Sequence, residues 1–224
     1  MTATAAFSHS SRGRLTRHDL ARFSGKTLFD RLGRALCDAG CLPRKELYES
    51  WELARRARRV LRGGRVVDLA GGHGLLAHVM LLLDDSSPSA LVVDLAIPPS
   101  AHKIQTALAR EWPRLANRVA YLSAPIADVD LGSGDVVVSS HACGALTDHI
   151  IARAVGARAR LAVLPCCHDA DSCDAGVLGG WLGTATAIDV TRAVGLHGHG
   201  YRVWTQTIPD AITPKNRLLI GAPA

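Results

Sequence analysis

Residues 65–83 read RVVDLAGGHGLLAHVMLLL. A β-branched run, Arg65 to Leu69, meets glycines at 71, 72 and 74 and then an unbroken apolar stretch, Leu75 to Leu83. That is the pattern of a buried strand, a tight turn and a helix. Downstream the pattern repeats. Strand-like runs at Ala90–Leu95 (ALVVDL), Val119–Leu122, Asp135–Ser139 (DVVVS) and Arg160–Leu164 (RLAVL) alternate with helical stretches at Ser100–Arg110 and Ala145–Val155. Strands separated by helices imply a parallel sheet covered on both faces. The chain closes differently, with Tyr201–Thr207 and Arg217–Gly221 near enough to pair as an antiparallel hairpin around PDAITPK. Upstream, Leu28, Leu32 and Leu36 mark one helix, and Leu47, Trp51, Ala54 and Leu61 a second, divided by Gly40–Pro43. In the second, Glu52 stands four residues before Arg56, which supports a helix, and Gly63 and Gly64 end it. The expected architecture is a three-layer α/β fold with a mostly parallel seven-stranded sheet. It divides into a basic helical extension, residues 1–62, and a sheet domain, residues 63–224.

Composition bounds the function. With 224 residues, 48% of them hydrophobic and 21% charged, the chain can bury a full core, which excludes intrinsic disorder. Its longest apolar runs, Leu75–Leu83 and Leu91–Pro99, are about half the ~20 residues that a spanning helix needs. The start, MTATAAFSHSSRGRL, lacks the apolar stretch of a secretory signal, though its Ser and Arg content and want of acids before Asp19 leave an organelle transit peptide open. Six cysteines (Cys37, Cys41, Cys143, Cys166, Cys167, Cys173) then read as thiols or metal ligands in a reducing, cytoplasmic compartment. The net charge of +6 is uneven. Residues 1–65 carry 15 Lys and Arg against 6 Asp and Glu, and the remainder carries 11 against 14. A basic first third favours an anionic partner such as nucleic acid, with Arg55, Arg56, Arg58 and Arg59 as its grip; solvated helix faces explain the same count. Arg makes up 22 of the 26 basic residues, as a genome biased toward Arg codons would give, so the four lysines, Lys26, Lys45, Lys103 and Lys215, stand out.

The glycine turn carries the first chemistry. Gly72, Gly74 and Ala77 satisfy GxGxxA, and Asp94 lies twenty residues beyond Gly74 at the end of the next strand. Glycines admit a ligand close to the backbone, and a carboxylate at that strand end can accept both hydroxyls of a ribose. A dinucleotide and S-adenosylmethionine suit these features equally. Asp68, at the end of the first strand, separates them: it would repel a pyrophosphate and attract the α-ammonium of S-adenosylmethionine. Set against DxGxGxG, Ala70 takes the place of the first glycine and Gly71 follows it, a change that matters only if position 70 needs a positive φ. Leu95 beside Asp94, Ser140 after the fourth strand, and Asp128 after the third, placed to meet an adenine amino group, complete the expected cofactor seat. Asp128 is equally an ordinary loop acid.

The fourth strand runs into SSHACGALTDHI and the fifth into LPCCHD. Neighbouring parallel strands would bring His141, Cys143, Asp148, Cys166, Cys167 and His168 together at the mouth of the sheet. Three readings compete. These residues are a thiophilic metal site, although HxC and CCH are not the CxxC pairs of structural zinc motifs and no metal ligand is assigned; a catalytic set with a histidine base or a cysteine nucleophile; or buried thiols and histidines that shape the pocket.

Together, VVDLAGGHG, SSHACGALTD and LPCCH resemble the methyltransferase family typified by eukaryotic tRNA acceptor-stem 2′-O-methyltransferases and by the methyltransferase-like domain of the glutathione S-transferase C-terminal-domain-containing protein. The resemblance spans about residues 42–221 and rests mainly on HxCGxxTD at His141–Asp148 and CCH at Cys166–His168. It implies a class I Rossmann-like methyltransferase fold, S-adenosylmethionine as methyl donor, and a pocket at the fourth and fifth strands; together with the basic first third it favours an RNA acceptor. The zinc modules that precede the tRNA enzymes have no counterpart here. A ribose hydroxyl needs a base, for which His141 comes first and Lys45 or Lys103 next. Lys215, in ITPKNR, is placed to meet a substrate phosphate or, with Asn216 and Arg217, to hold the hairpin. The alternatives are a small-molecule or protein acceptor, a metal- or thiol-binding protein built on the same fold, and a noncatalytic RNA-binding subunit.

Overall fold

The computed structural model describes residues 7–224; residues 1–6, the start of the expected extension and of any leader, lie outside the described residues. Two amphipathic helices come first, α1 (Leu28–Ala39) and α2 (Arg44–Ala57). Thr27 caps α1, its Oγ1 accepting from the Asp30 N–H (3.1 Å) while Asp30 accepts from the Thr27 N–H (3.2 Å). Then follow β1 (Val66–Leu69), α3 (Leu75–Leu83), β2 (Ala90–Asp94), α4 (Ser100–Glu111), β3 (Val119–Ser123), β4 (Val136–Ser139), α5 (Ala145–Gly156), β5 (Arg160–Val163), α6 (Thr184–Gly198), β6 (Tyr201–Thr207) and β7 (Arg217–Pro223).

The seven strands form one sheet in the order β3-β2-β1-β4-β5-β7-β6. The first five are parallel, and β7 runs antiparallel to both β5 and β6. Alternation along the strands explains the layers. Val66, Val92, Val136 and Val138 face a core shared with α1 to α4, whereas Val67, Val93, Val137 and Leu161 face a second core under α5 and α6. Leu32 and Leu36 of α1 and Leu47 and Leu53 of α2 belong to the first of these cores, so residues from Leu15 onward are packed on the sheet with the rest of the molecule.

Not legible in the sequence were the whole of α6 and the 3₁₀ stretches, of which Arg17–Phe23 is the longest. The buried stripe of α6 is Ile188, Arg192 and Leu196, one residue every four, with a charge in the middle where the helical pattern needs an apolar side chain.

The basic first third also folds differently from its count. Nine of its fifteen cations are in ion pairs: Arg17, Arg31, Arg44, Lys45, Arg55, Arg56, Arg58, Arg62 and Arg65. Arg55 and Arg56 share Glu52. Arg58 is buried, donating to the carbonyls of Met80 (3.1 Å) and Leu61 (3.1 Å) and to Ser87 Oγ (2.8 Å), and pairing with Asp84 (3.2 Å). Arg55, Arg56 and Arg58 therefore do not form a free grip; they fasten α2 to its own acids and to the end of α3.

Candidate active site

The mouth of the sheet lies where β1, β2 and β4 end, and a cavity of about 390 Å³ opens there. Its wall includes Ala70, Gly71, Gly72, Asp94, Ser140 and His141. Gly72 has φ +50°, and its N–H donates to Asp94 Oδ2 (2.9 Å), which holds the carboxylate at the edge of the turn. Gly74 has φ +73°, and a Cβ there would stand 2.8 Å from the Tyr121 hydroxyl and from Val92, so only glycine lets α3 start against β2 and β3. Ala70, where the DxGxGxG pattern has glycine, has φ +56°. The position does need the left-handed conformation, and the alanine is strained by about 1–2 kcal/mol.

Asp68 lies beneath the turn, not in the cavity. It is 1% exposed, and Oδ2 accepts from the Ala77 N–H (3.2 Å) at the start of α3. Its Oδ1 is buried and unpartnered, directly behind Gly71, whose Cβ would meet the Asp68 carboxyl carbon at 2.8 Å. Burial pushes Asp68 up to about 7, with the Ala77 N–H opposing and Asp94 adding to the rise. Leu95 follows Asp94, is 74% exposed and is not among the residues lining this cavity. Asp128 is exposed on a short 3₁₀ turn, Ile126–Asp128, and is not among the residues lining this cavity.

Residues that the motif reading missed complete the wall. Glu46 and Ser50 project from α2, and His73 sits inside the turn. His73 Nε2 is 3.6 Å from Glu46 Oε2, and its Nδ1 shares a hydrogen bond with Ser100 Oγ (2.6 Å). Burial and the neighbouring Glu49 raise Glu46 to about 7, against the pull of Lys45. One signal for Glu46 lies in the sequence, a carboxylate in the first turn of a helix, but only tertiary packing turns that end of α2 toward the glycines.

The six Cys, His and Asp positions of the β4–β5 side separate into three places. His141 joins the cofactor cavity, where desolvation and the charges of Lys45 and His73 push it down to about 4, leaving a neutral imidazole. Asp148 and His168 join a hub built by α6. Arg192 makes a bidentate pair with Asp148 (2.7 and 2.8 Å) and reaches Asp189 (3.2 Å), and Asp189 Oδ2 accepts from His168 Nε2 (2.8 Å) and Arg217 Nε (2.7 Å). Cys143, Cys166 and Cys167 form the third group. The β4–β5 pairing, Ser139 opposite Val163, continues past both strand ends to set Cys143 opposite Cys167. The Sγ atoms of Cys143 and Cys166 are 2.9 Å apart, those of Cys166 and Cys167 3.8 Å. Burial and its thiol neighbours raise Cys166, while the bond from Cys143 lowers Cys167, with Lys215 contributing. A second cavity, about 480 Å³ between α6 and the β6–β7 hairpin, is mostly apolar, and its charged residues Asp189 and Arg217 are spent on each other.

The cavity at the glycine turn fits S-adenosylmethionine. Asp94 would accept from ribose hydroxyls, the bare backbone of Gly71 and Gly72 would admit close approach, and Glu46 would offer negative charge to a cationic amino acid, with Asp68 acting only from behind Gly71. The residues lining it include no Lys or Arg to receive a pyrophosphate.

The methyltransferase domain family matches residues 46–171. No curated protein matches the chain. Similar solved structures include the S-adenosylmethionine-dependent methyltransferase SibL (19% identity, 94% of this chain and 66% of that one, TM-score 0.53). Mitomycin 7-O-methyltransferase MmcR is another (18%, 95% and 64%, 0.52). A third is an O-methyltransferase family protein from Burkholderia thailandensis (18%, 93% and 67%, 0.49). The chain spans about two thirds of the length of each of these, and the likeness is one of fold. Among the described residues no helix is long and apolar enough to cross a membrane. With a match over more than half of its length, the chain belongs to the methyltransferase domain family, whose cofactor S-adenosylmethionine fits the cavity at the glycine turn.

Proposed function

We propose that the chain methylates a hydroxyl of RNA, with His141 as the base. The observation that carries this reading is that His141 and Ser140 share one cavity with the glycine turn and Asp94, so a proton acceptor and the methyl donor's seat meet in one space. S-adenosylmethionine supplies an electrophilic methyl on a sulfonium. Asp94 and the backbone of Gly72 orient the nucleoside end, with Ser140 beside them and Leu95 offering an apolar surface next to Asp94. Glu46 faces the amino-acid end, and Asp68 acts through the turn that it holds. His141 takes the proton from the acceptor hydroxyl. Desolvation first, then the Lys45 charge and the nearby His73, whose own protonation burial disfavours, keep that imidazole neutral but weakly basic; a bound phosphate beside Lys45 would offset the charge and raise its basicity where a proton must be taken. Lys215, exposed beside Cys167, extends the positive rim.

RNA as acceptor draws support from this cationic rim and from the HxCGxxTD and CCH strings. The pairing of most cations in the first third favours a second reading, a small hydroxylated acceptor that needs no extended basic track. Transfer of a labelled methyl group to fractionated total RNA, small metabolites and protein distinguishes them. Label in RNA that disappears with His141→Ala is the expected result; label confined to the metabolite fraction would replace RNA with the second reading.

A further inference from the structure

We infer that Cys143, Cys166 and Cys167 form a three-thiolate Zn²⁺ site between the loops that follow β4 and β5. The three Sγ atoms all lie within 4.8 Å of one another, and all three cysteines are free. Their meeting is built by the sheet. The parallel register of β4 and β5 runs on beyond the last strand residues, so Cys143 faces Cys167 with Cys166 beside them.

Two sulfurs bound at about 2.3 Å to one tetrahedral ion lie roughly 3.8 Å apart. Cys166 and Cys167 already have that separation, at 3.8 Å. Cys143, at 2.9 Å from Cys166 and exposed at the surface, reaches the same spacing by an outward swing of its side chain of about an ångström. Three thiols in contact are poor hydrogen-bonding partners for one another: Cys166 has only the Ala142 carbonyl at 3.7 Å and Cys143 only the His141 carbonyl at 3.6 Å besides sulfur. A single divalent cation replaces those contacts with three strong bonds, releasing the three thiol protons to solvent and leaving a site of net charge −1. The Lys215 ammonium stands beside Cys167 to balance it.

Soft sulfur donors select Zn²⁺ or Cu⁺. Zinc is assigned because the exposed Cys143 side leaves a fourth position open, which zinc fills with an oxygen or nitrogen donor, whereas cuprous ion is satisfied by three thiolates. His168 is not among the residues whose ligand atoms gather there, and its Nε2 faces Asp189. The ion would tie together the two loops at the mouth, two residues from His141. This site stands apart from the methyl-transfer reading and does not depend on it.

The test uses the full chain, reduced and metal-free. Zn²⁺ is titrated against a chromophoric chelator, and Co²⁺ in its place reports sulfur ligation through sulfur-to-cobalt charge-transfer bands. The expected result is one ion per chain, charge-transfer bands in the cobalt form, and a loss of affinity of about a hundredfold in Cys166→Ser, with Cys41→Ser, outside the cluster, unchanged. Circular dichroism and S-adenosylhomocysteine affinity establish that Cys166→Ser is folded. A measurement on the wild type needs no variant: Zn²⁺ should protect Cys143, Cys166 and Cys167 from alkylation and leave Cys41 reactive. Absence of saturable binding, cobalt spectra without sulfur bands, affinity equal in Cys166→Ser, or binding of Cu⁺ with no binding of Zn²⁺ would each overturn the assignment.

Discussion

The two sides of the mouth were both dense in chemistry-bearing residues, and they resolved differently. On the β1–β2 side, the turn from Ala70 to His73 and Asp94 line one cavity, because an eighteen-residue strand–turn–helix unit fixes its own geometry and the next parallel strand brings its last residue alongside. On the β4–β5 side the six candidates went to three places. His141 kept to the cofactor cavity, the cysteines gathered by strand register, and Asp148 and His168 were drawn off by Arg192 and Asp189 of α6. The difference lies in satisfaction: Asp148 and His168 have close charged partners, whereas Asp68 Oδ1 has none and Cys143 and Cys166 have only sulfur and distant backbone carbonyls. Groups with their needs met inside the protein hold it together, and groups left wanting point to a ligand.

The largest test of that contrast is the hub. Arg192→Met leaves the partly buried Asp148 without its counter-charge and Asp189 with Arg217 alone, and should cost about 3 kcal/mol of stability, measured by urea unfolding. Cofactor affinity at low temperature should stay near wild type; a selective loss of affinity with unchanged stability would move the hub into the active site. Asp94→Ala should do the reverse, weakening S-adenosylhomocysteine binding by about a hundredfold, the worth of one or two hydrogen bonds to a charged group, while the unfolding midpoint hardly moves. Isothermal titration calorimetry on the variant reads both the affinity and its enthalpy.

A smaller effect sharpens the boundary between cavity and support. Glu46 and Asp68 are both raised to about 7, so each is partly protonated at neutral pH in the free protein. A folded-state value above the unfolded one means that their contribution to stability is full below about pH 4 and is lost as pH rises through 7. A bound ammonium favours their ionised forms, so cofactor affinity should climb between pH 6 and 8. Glu46→Gln should weaken binding about tenfold at pH 8 and flatten that climb. A climb that persists unchanged would assign it to Asp68. The smallest effect is at Ala70, where Ala70→Gly relieves the positive φ at the expense of a freer unfolded chain, for a net gain of about 0.5 kcal/mol in thermal unfolding. A loss of stability would mean that the alanine methyl is held by packing that outweighs its strain.

Much of this molecule was open to reading. Strand and helix positions from Val66 to Val163 follow from local period, since parallel strands buried on both faces leave continuous β-branched runs and the covering helices carry apolar stripes. What was not open was α6. Its stripe is broken by Arg192, and a charge in a buried stripe makes sense only when Asp148, forty-four residues away, is known to be its partner. The basic first third misled for the same reason, because a count of cations cannot register that Glu52 and Asp84 had already taken four of them.

The layered fold, the glycine turn and the acid across from it are written in the order of residues, because each rests on contacts between residues close along the chain or on the fixed advance of a parallel strand. Only the tertiary structure decided that Asp68 sits beneath the turn, that Glu46 reaches into the cavity from α2, and that Ala70 bears a left-handed backbone. It alone decided which of the Cys, His and Asp side chains meet. Side-chain direction and the partner that satisfies a charge are set by packing between elements distant in sequence, and no local pattern records them.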